Sequence, residues 1–309
     1  MTKFERNSLD HYNFTLSEAR DEQHDYFLQV FKPHDAKLFL LGRIWKKDQE
    51  KAFLFISIDA NEFACSLPNL PFGGLWTHES IPSDVLEGFI SFLLDSLLQL
   101  QVKRFAVTQA PAAYGNQADL FSYLLFKSGF DLENVLNHQI LCGKKRIKKW
   151  LTQNFTKLYK KAKENKFNVT TGNIQSFTFL EEITTWKDDR GHKQPLDENR
   201  LIQQVSTYPE RYFVITVLHD GKAVAHALAV KLTSESLYYF YSAINPKNQL
   251  RLTGQLMMAY LLKLSVEQKV SLLDLGSSEA NDEPNHKLIY FKNKYADTYW
   301  NKSTWIKSL

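Results

Sequence analysis

Between Val270 and Tyr295 the chain reads VSLLDLGSSEANDEPNHKLIYFKNKY. The short apolar run Ser271–Leu275 is closed by Gly276, a pattern that predicts a buried strand ending in a tight turn. Residues 281–285 are polar and include a proline, so they form a loop. From His286 onward apolar and aromatic residues recur at helical spacing. A strand, a polar loop and a helix beside a sheet often build a functional site, although a plain packing unit would show the same pattern.

The composition excludes several classes of protein. A length of 309 residues suits one long domain or two ordinary ones, and 44% hydrophobic and 14% aromatic residues exclude global disorder. The formal net charge of +4 is mild and does not by itself imply nucleic acid. Cys65 and Cys142 are the only cysteines, which excludes a disulfide framework and a cysteine metal site.

Targeting and membrane segments are not predicted. The N-terminal sequence MTKFERNSLDHYNF lacks the apolar centre of a signal peptide. The most apolar runs, residues 88–100 and 256–266, are interrupted by Asp95 and Lys263. Both are shorter than the roughly 20 residues that span a membrane. We therefore predict a cytoplasmic, soluble protein without a membrane span.

Four local patterns stand out along the rest of the chain. Strongly apolar helices are predicted over Val85–Leu100 and Leu252–Val266. Asp220-Gly221 between two apolar runs predicts a β-hairpin. Residues 143–166 are rich in lysine yet keep one apolar face, which predicts a basic amphipathic helix.

The chain also repeats its order of elements. Residues 37–142 and 212–309 each predict antiparallel strands, an apolar helix, a short buried strand, a helix and a final strand. The segment Leu125–Phe130, LFKSGF, corresponds to Tyr290–Tyr295, YFKNKY. A twofold repeat indicates two related domains. We place them at residues 1–143 and 144–309, the second opening with the basic helix.

These features resemble the GNAT superfamily, in which a tyrosine-containing helix ends in a pattern like Y-x-K-x-G-F. Two such units in one chain resemble its FemAB-like branch, whose members transfer acyl or aminoacyl groups. The segments that resemble those of FemAB-like proteins are KLYKKAKENKFNV at 157–169, DGKAVA at 220–225, LDLGS at 273–277, FKNKYA at 291–296 and PFGG at 71–74. The resemblance covers about residues 37–305. It implies an α/β fold with a mixed α+β sheet, built as two tandem GNAT-like domains.

The resemblance also implies a donor site. GNAT proteins bind the donor pyrophosphate with backbone N–H groups at a Q/R-x-x-G-x-G/A turn that opens a helix, where unpaired donors and the helix dipole favour an anion. Here Arg251, Gly254 and Gln255 occupy that turn, whereas Leu256 stands where a small residue is expected. An acyl-CoA is the implied donor substrate, with no tightly bound cofactor and no metal.

Three residues are candidates for a general base. An amine with a pKa of about 10.4 is neutral in only about one molecule in a thousand at pH 7, so a base speeds its attack on an acyl group. Asp274 at a strand end and Glu279 in the adjoining loop are carboxylates in suitable positions, and His226 lies within a predicted strand. Asp274 can instead cap the following turn, and a histidine in an apolar strand is more often a core residue.

Tyr290 matches the tyrosine that in many GNAT enzymes protonates the leaving thiolate, although an aromatic residue on a helix face usually packs in the core. Leu125 replaces it in the first unit, which implies that the second unit is the active one. The loop with Phe72, Gly73 and Gly74, together with His78, is then predicted to contact the acceptor. These acceptor-binding residues all belong to the first unit.

The resulting hypothesis is an acyltransferase that moves an acyl group from an acyl-CoA-type donor to an amine acceptor. An aminoacyl-tRNA-dependent enzyme acting on a cell-wall precursor is an alternative, disfavoured because lysines on a helix usually just face solvent. A non-catalytic ligand-binding protein is another, since the donor turn is imperfect. The acceptor, the acyl chain and the oligomeric state are left open.

Overall fold

The structure is a computed structural model that describes residues 3–7, 11–20, 24–68, 70–189, 197–248, 250–280 and 282–309. Its α-helices and β-strands are numbered in chain order. They are β1 (Lys3–Asn7), β2 (Tyr12–Glu18), β3 (Leu38–Lys46), β4 (Gln49–Ile58), β5 (Phe63–Cys65), β6 (Trp76–Thr77), α1 (Ser83–Gln99), β7 (Arg104–Gln109), α2 (Ala118–Lys127), β8 (Asp131–Cys142), α3 (Lys144–Glu164), β9 (Phe167–Asn173), α4 (Thr178–Asp188), α5 (Glu198–Thr207), β10 (Tyr212–His219), β11 (Lys222–Thr233), β12 (Ser236–Ile244), α6 (Arg251–Glu267), β13 (Leu272–Asp274), β14 (Glu279–Ala280), β15 (Glu283–Pro284), α7 (His286–Lys292) and β16 (Thr298–Ser308).

The chain forms two compact units. The first contains Met1–Asn137 together with Trp300–Leu309, and the second contains His138–Tyr299. The boundary predicted between residues 143 and 144 therefore lies a few residues late, and the C-terminal segment belongs to the first unit. The reason is strand pairing: Ser303–Ser308 of β16 lie antiparallel to Arg104–Gln109 of β7. Such long-range pairing leaves no local signal in the sequence.

In the residues that the structure describes, the first unit is a mixed sheet with the two α-helices α1 and α2. Its strands are ordered β1-β2-β3-β4-β5-β7-β16, with β5 and β7 parallel. Alternating residues of β2 and β4 face α1, whose Phe89, Leu93 and Leu97 are buried in one apolar core. Gly42 of β3 meets this core directly, because a Cβ there would lie 3.0 Å from Leu93.

The second unit has the strand order β8-β13-β12-β11-β10-β9, to which β8 contributes its C-terminal part. The strands β12 and β13 are parallel and pair over only three residues. Helix α6 packs on one face of the sheet against the alanines of β11 at 225, 227 and 229. Because side chains alternate along a strand, His226 points to the other face, where α4 lies against β11 and β12.

The four local patterns predicted from the sequence are present. The two apolar helices begin and end within two residues of their predicted bounds, the Asp220-Gly221 turn joins β10 to β11, and the basic helix is α3. Along the sequence, each repeat has the order helix, strand, helix, strand after its antiparallel strands, as α1-β7-α2-β8 and, with the short β14-β15 hairpin before α7, as α6-β13-α7-β16. The final strands divide between the units, because the end of β8 lies in the second unit and most of β16 lies in the first. A mixed α/β fold with two units is therefore confirmed. The detailed superposition of the units stays a prediction.

Candidate active site

The end of β13 holds a buried carboxylate. Asp274 has no exposed surface, and its Oδ1 accepts a hydrogen bond of 2.7 Å from the backbone N–H of Gly276. Gly276 has a φ of +68°, so this bond closes a tight turn. The same carboxylate lies 2.9 and 3.0 Å from Nδ1 of His138 in β8. Asp274 therefore both caps the turn and orients a histidine.

The hydrogen bonds of Asp274 determine the tautomer of His138. A carboxylate only accepts, so Nδ1 of His138 must carry the proton and donate. In the neutral ring Nε2 is then the basic nitrogen. Among the described residues, none hydrogen-bonds to Nε2. The ring of Tyr238 stacks on the imidazole at 6.0 Å with an interplanar angle of 7°. The pair has the arrangement in which a carboxylate prepares a histidine as a base.

A lysine is buried beside this pair. Lys292, on the last turn of α7, is 3% exposed and donates to the carbonyl oxygens of Ser277 at 2.6 Å and Gly276 at 3.3 Å. Burial lowers the pKa of Lys292 to about 8, and the negative charge of Asp274 opposes that shift. Lys292 therefore stabilises the loop after β13 through these two hydrogen bonds, and its titratable amine lies close to Asp274.

Two further side chains connect this loop to α7. Gln139 donates through Nε2 to the carbonyl oxygen of Ile289 at 2.9 Å and to Oδ1 of Asn293. Ser278 Oγ donates to Gln139 Oε1 at 2.7 Å. We call the buried polar set His138, Gln139, Asp274, Ser278 and Lys292 the polar cluster. All five are buried and belong to the second unit.

Only Asp274 of the polar cluster was predicted from the sequence. Lys292 lies in the YFKNKY segment, and a lysine inside an apolar helix face was a signal for it. His138 and Gln139 precede the apolar Ile140 and Leu141 in a buried strand, and such a polar pair was a second signal. Nothing local indicated that β8 would pair with β13, which brings Ile140 opposite Asp274.

At the matching positions that the structure describes, the first unit lacks the buried lysine and the strand-end carboxylate of this cluster. Lys127 stands in LFKSGF where Lys292 stands in YFKNKY, yet Lys127 is exposed and lies over the rings of Tyr123 and Phe126. The preceding strand β7, RFAVTQ, contains no acidic residue. The two copies of the motif therefore have different environments, and only the second copy buries its lysine.

Two further candidate residues of the Val270–Tyr295 segment are Glu279 and Tyr290. Glu279 is partly exposed and begins β14, where it pairs with Pro284 of β15. Tyr290 is 69% exposed, and Lys294 lies over its ring. Core packing, the ordinary expectation for an aromatic residue on a helix, is therefore wrong for Tyr290. Its role as a proton donor stays a prediction.

His226 belongs to a different place on the sheet. It is buried on β11 and pairs with Ala243 of β12, whereas Asp274 pairs with Tyr238 five residues earlier on the same strand. That offset corresponds to about 17 Å along the strand. Its Nε2 lies 2.6 Å from a carboxylate oxygen of Glu182. Burial lowers the pKa of His226, and Glu182 opposes the shift.

The predicted donor residues lie in the first turns of α6. Arg251 is exposed and begins the helix, and Gly254 and Gln255 are partly exposed. A Cβ on Gly254 would lie 3.2 Å from the ring of Phe291, so α7 packs closely on α6 at this position. Among the described residues, Oγ1 of the buried Thr253 has no hydrogen-bond partner.

The predicted acceptor residues make contacts within the first unit. Phe72 is fully buried, and its carbonyl oxygen accepts a hydrogen bond of 2.8 Å from Tyr26. Gly74 has a φ of +74°, and a Cβ on it would overlap the side chain of Gln109. His78 is exposed and lies 3.1 Å from Glu50. Packing thus accounts for the apolar and glycine residues of this loop, and acceptor contact stays a prediction.

The described residues also lack the patterns of membrane-spanning helices and of metal-binding sites. No helix in the described ranges is long and apolar enough to cross a lipid bilayer. Within the same ranges, no three His, Cys, Asp or Glu side chains come together as metal ligands would.

Comparison with known proteins identifies the fold. No family model and no curated protein matches the sequence. Among solved structures, FemX matches with 12% identity and a TM-score of 0.64 over 95% of this chain and 97% of FemX. A tandem GNAT protein from the clavulanic acid biosynthesis pathway matches with 11% identity and a TM-score of 0.55 over 92% and 87% of the chains. L-PGS from Bacillus licheniformis matches with 13% identity and a TM-score of 0.52 over 82% and 80%. The chain therefore has the tandem fold shared by GNAT and FemAB-like proteins.

Proposed function

We propose that this chain is an acyltransferase that moves an acyl group from an activated donor to an amine, with the polar cluster of the second unit as its reaction centre. The observation that carries the proposal is the buried Asp274–His138 pair with Lys292 beside it. Buried ionisable groups are costly to maintain and are concentrated at functional sites. The fold, common to transferases of several kinds, supports the reaction class.

In this proposal His138 is the general base. The acceptor amine is mostly protonated at neutral pH, and it must lose a proton before or during its attack on the acyl carbon. Nε2 of His138 takes that proton. Asp274 is a positioning residue, because its hydrogen bond to Nδ1 maintains the tautomer with the free lone pair and stabilises the imidazolium that forms.

Lys292 supplies positive charge in a site with little water. Two of its three N–H groups are used by the carbonyl oxygens of Gly276 and Ser277. The third can donate to the oxygen that becomes negative when the amine attacks the acyl carbon. A donor placed in advance of the reaction in this way is worth several kcal/mol in a desolvated site, roughly 3 kcal/mol per hydrogen bond.

The donor is proposed to bind at the start of α6. The first N–H groups of a helix are unpaired and carry the positive end of its dipole, which favours a pyrophosphate. The exposed Arg251 adds a positive charge at this turn. Together these groups suit an acyl-CoA-type donor.

An aminoacyl-tRNA donor is the second candidate, and one observation favours it. Helix α3 contains nine basic residues and one acidic residue over its 21 positions. Its apolar residues Trp150 and Phe155 pack against Tyr295 and Tyr260, so the basic face points outward. Such a face can follow a phosphate backbone.

The experiment uses the full chain with acetyl-CoA or aminoacyl-tRNA as donor and a panel of primary amines as acceptors. Release of free thiol or deacylated tRNA is measured with and without acceptor. Acceptor-dependent turnover that is lost in Lys292→Gln supports the proposal. Binding of either donor without turnover for any acceptor would favour a non-catalytic ligand-binding protein instead.

A further inference from the structure

A second hydrogen-bonded chain of reactive groups lies on the α4 face of the second unit. Glu182 of α4, His226 of β11 and Thr216 of β10 are joined in that order. A carboxylate oxygen of Glu182 lies 2.6 Å from Nε2 of His226. Nδ1 of the same ring lies 2.9 Å from Oγ1 of Thr216. The ring of Trp186 stacks on the imidazole at 5.2 Å and 9°, which holds its plane.

The direction of each hydrogen bond follows from the chemistry of the groups. An ionised carboxylate only accepts, so Nε2 of His226 donates to Glu182. Burial lowers the pKa of His226 and so favours the neutral ring, in which Nδ1 carries no proton. Nδ1 must then accept, and the hydroxyl of Thr216 must donate to it. The hydroxyl proton of Thr216 therefore points at the basic Nδ1 of His226, and the other ring nitrogen, Nε2, is hydrogen-bonded to the carboxylate of Glu182.

Thr216 is reachable from solvent, although His226 is covered. Thr216 pairs with Thr170 of the neighbouring strand β9, and paired residues point to the same face of a sheet. Thr170 and Asn168 are exposed, and a Cβ on Gly172 would meet no heavy atom within 4 Å. The face of β9 beside Thr216 is therefore open. Thr216 itself is partly exposed, and the side chain of Glu182 is 49% exposed.

We propose that Thr216 is a nucleophilic site that accepts an acyl group from an activated ester or thioester. Oγ1 of Thr216 attacks the acyl carbon and forms an ester, while its proton moves to Nδ1 of His226. Glu182 stabilises the resulting imidazolium. The bond between the acyl carbon and the leaving oxygen or sulfur then breaks, and the leaving group takes the proton from Nδ1. Atoms and charges balance without any oxidant or metal.

This site is independent of the polar cluster. His226 lies opposite Ala243 near one end of β12, whereas Asp274 lies opposite Tyr238 near the other end. Among the described hydrogen bonds of the polar cluster, none involves α4. The site therefore gives the fold a second acyl-accepting position, on an amino-acid side chain rather than on a free amine. A variant that no longer transfers acyl groups at the polar cluster could still be acylated at Thr216. A variant that is not acylated at Thr216 could still transfer acyl groups at the polar cluster.

The test uses p-nitrophenyl acetate as the probe. The purified full chain is incubated with the ester at neutral pH, digested, and mapped by mass spectrometry for a 42 Da addition at Thr216. We expect stoichiometric acetylation of Thr216. Glu182→Gln and His226→Gln, which leave the nucleophile in place, should slow its formation by about 10²-fold. Thr216→Ser should still be acetylated, and the isosteric Thr216→Val should not.

Thr170→Ala is the matched control, because Thr170 is exposed on the same face but is not part of the hydrogen-bonded chain. It should leave acetylation of Thr216 unchanged. Circular dichroism and the melting temperature verify that each variant is folded. The proposal is overturned if folded wild-type protein carries no acetyl group on Thr216. It is also overturned if Thr170 and Thr216 are labelled at equal rates, or if Glu182→Gln is labelled as fast as wild type.

Discussion

Replacing Asp274 by asparagine separates its two roles in the structure. Asparagine keeps one carbonyl oxygen, which can still accept the 2.7 Å hydrogen bond from Gly276 and close the turn. Its amide nitrogen then faces Nδ1 of His138 and donates to it. We expect the imidazole proton to move to Nε2, because an amide nitrogen in place of Oδ2 would otherwise set two donors 2.9 Å apart. That shift removes the lone pair that we propose takes the proton of the acceptor.

The expected effects on rate and stability differ greatly in size. An incorrect tautomer of a catalytic histidine costs up to about 10⁴-fold in rate. Converting charge-assisted hydrogen bonds to neutral ones costs about 1–2 kcal/mol of stability. For a unit of this size that is a decrease in melting temperature of roughly 2–8 °C. The cost stays limited because Lys292, whose pKa is about 8, can lose its proton once Asp274 no longer opposes the effect of burial.

Three measurements test this prediction: the acyl-transfer rate, the melting temperature, and the imidazole ¹⁵N shifts of His138, which report the tautomer without requiring turnover. Asp282→Asn is the matched control, since Asp282 is exposed and has a positive φ that asparagine tolerates. The reasoning would be refuted by an Asp274→Asn variant that transfers acyl groups at the wild-type rate with a shifted tautomer. A large loss of melting temperature with an unchanged tautomer would assign Asp274 a capping role alone.

Three other predictions concern stability and binding. Burial lowers the pKa of Lys292 from 10.5 to about 8, so between these pH values the unfolded chain binds a proton that the folded chain does not. The free energy of unfolding of the wild type, measured in urea relative to that of Lys292→Met, should therefore increase from pH 8 to pH 10.5 by up to about 3 kcal/mol. A difference between the two proteins that does not change with pH would contradict this prediction. Gly74→Ala should destabilise the protein by about 2–4 kcal/mol, because the φ of Gly74 is +74° and a Cβ there would overlap Gln109. The control Gly115→Ala should be neutral, because a Cβ on Gly115 would meet no heavy atom within 4 Å. Equal melting temperatures of the two variants would contradict this account of the packing. Arg251→Ala should weaken binding of acetyl-CoA in calorimetry by about tenfold at an unchanged melting temperature, and unchanged affinity would exclude the start of α6 as the donor site.

The sequence by itself determined the elements and their order. Apolar periodicity located α1 and α6, the Asp220-Gly221 turn located a hairpin, and the similarity of LFKSGF and YFKNKY indicated two related units. These features depend on residues close together in the chain, where backbone hydrogen bonds and side-chain periodicity leave a direct pattern. Asp274 was identified as a candidate for the same reason, since a carboxylate at the end of a buried strand is visible locally.

Only the tertiary structure decided which residues surround Asp274. His138 is 136 positions away and reaches it because β8 pairs with β13. Lys127 and Lys292 occupy the same position in a repeated motif, yet one is exposed and the other is buried beside a carboxylate. Strand pairing brought the last ten residues into the first unit. Long-range pairing and burial depend on the free energy of the whole packed unit, so the local pattern cannot specify them.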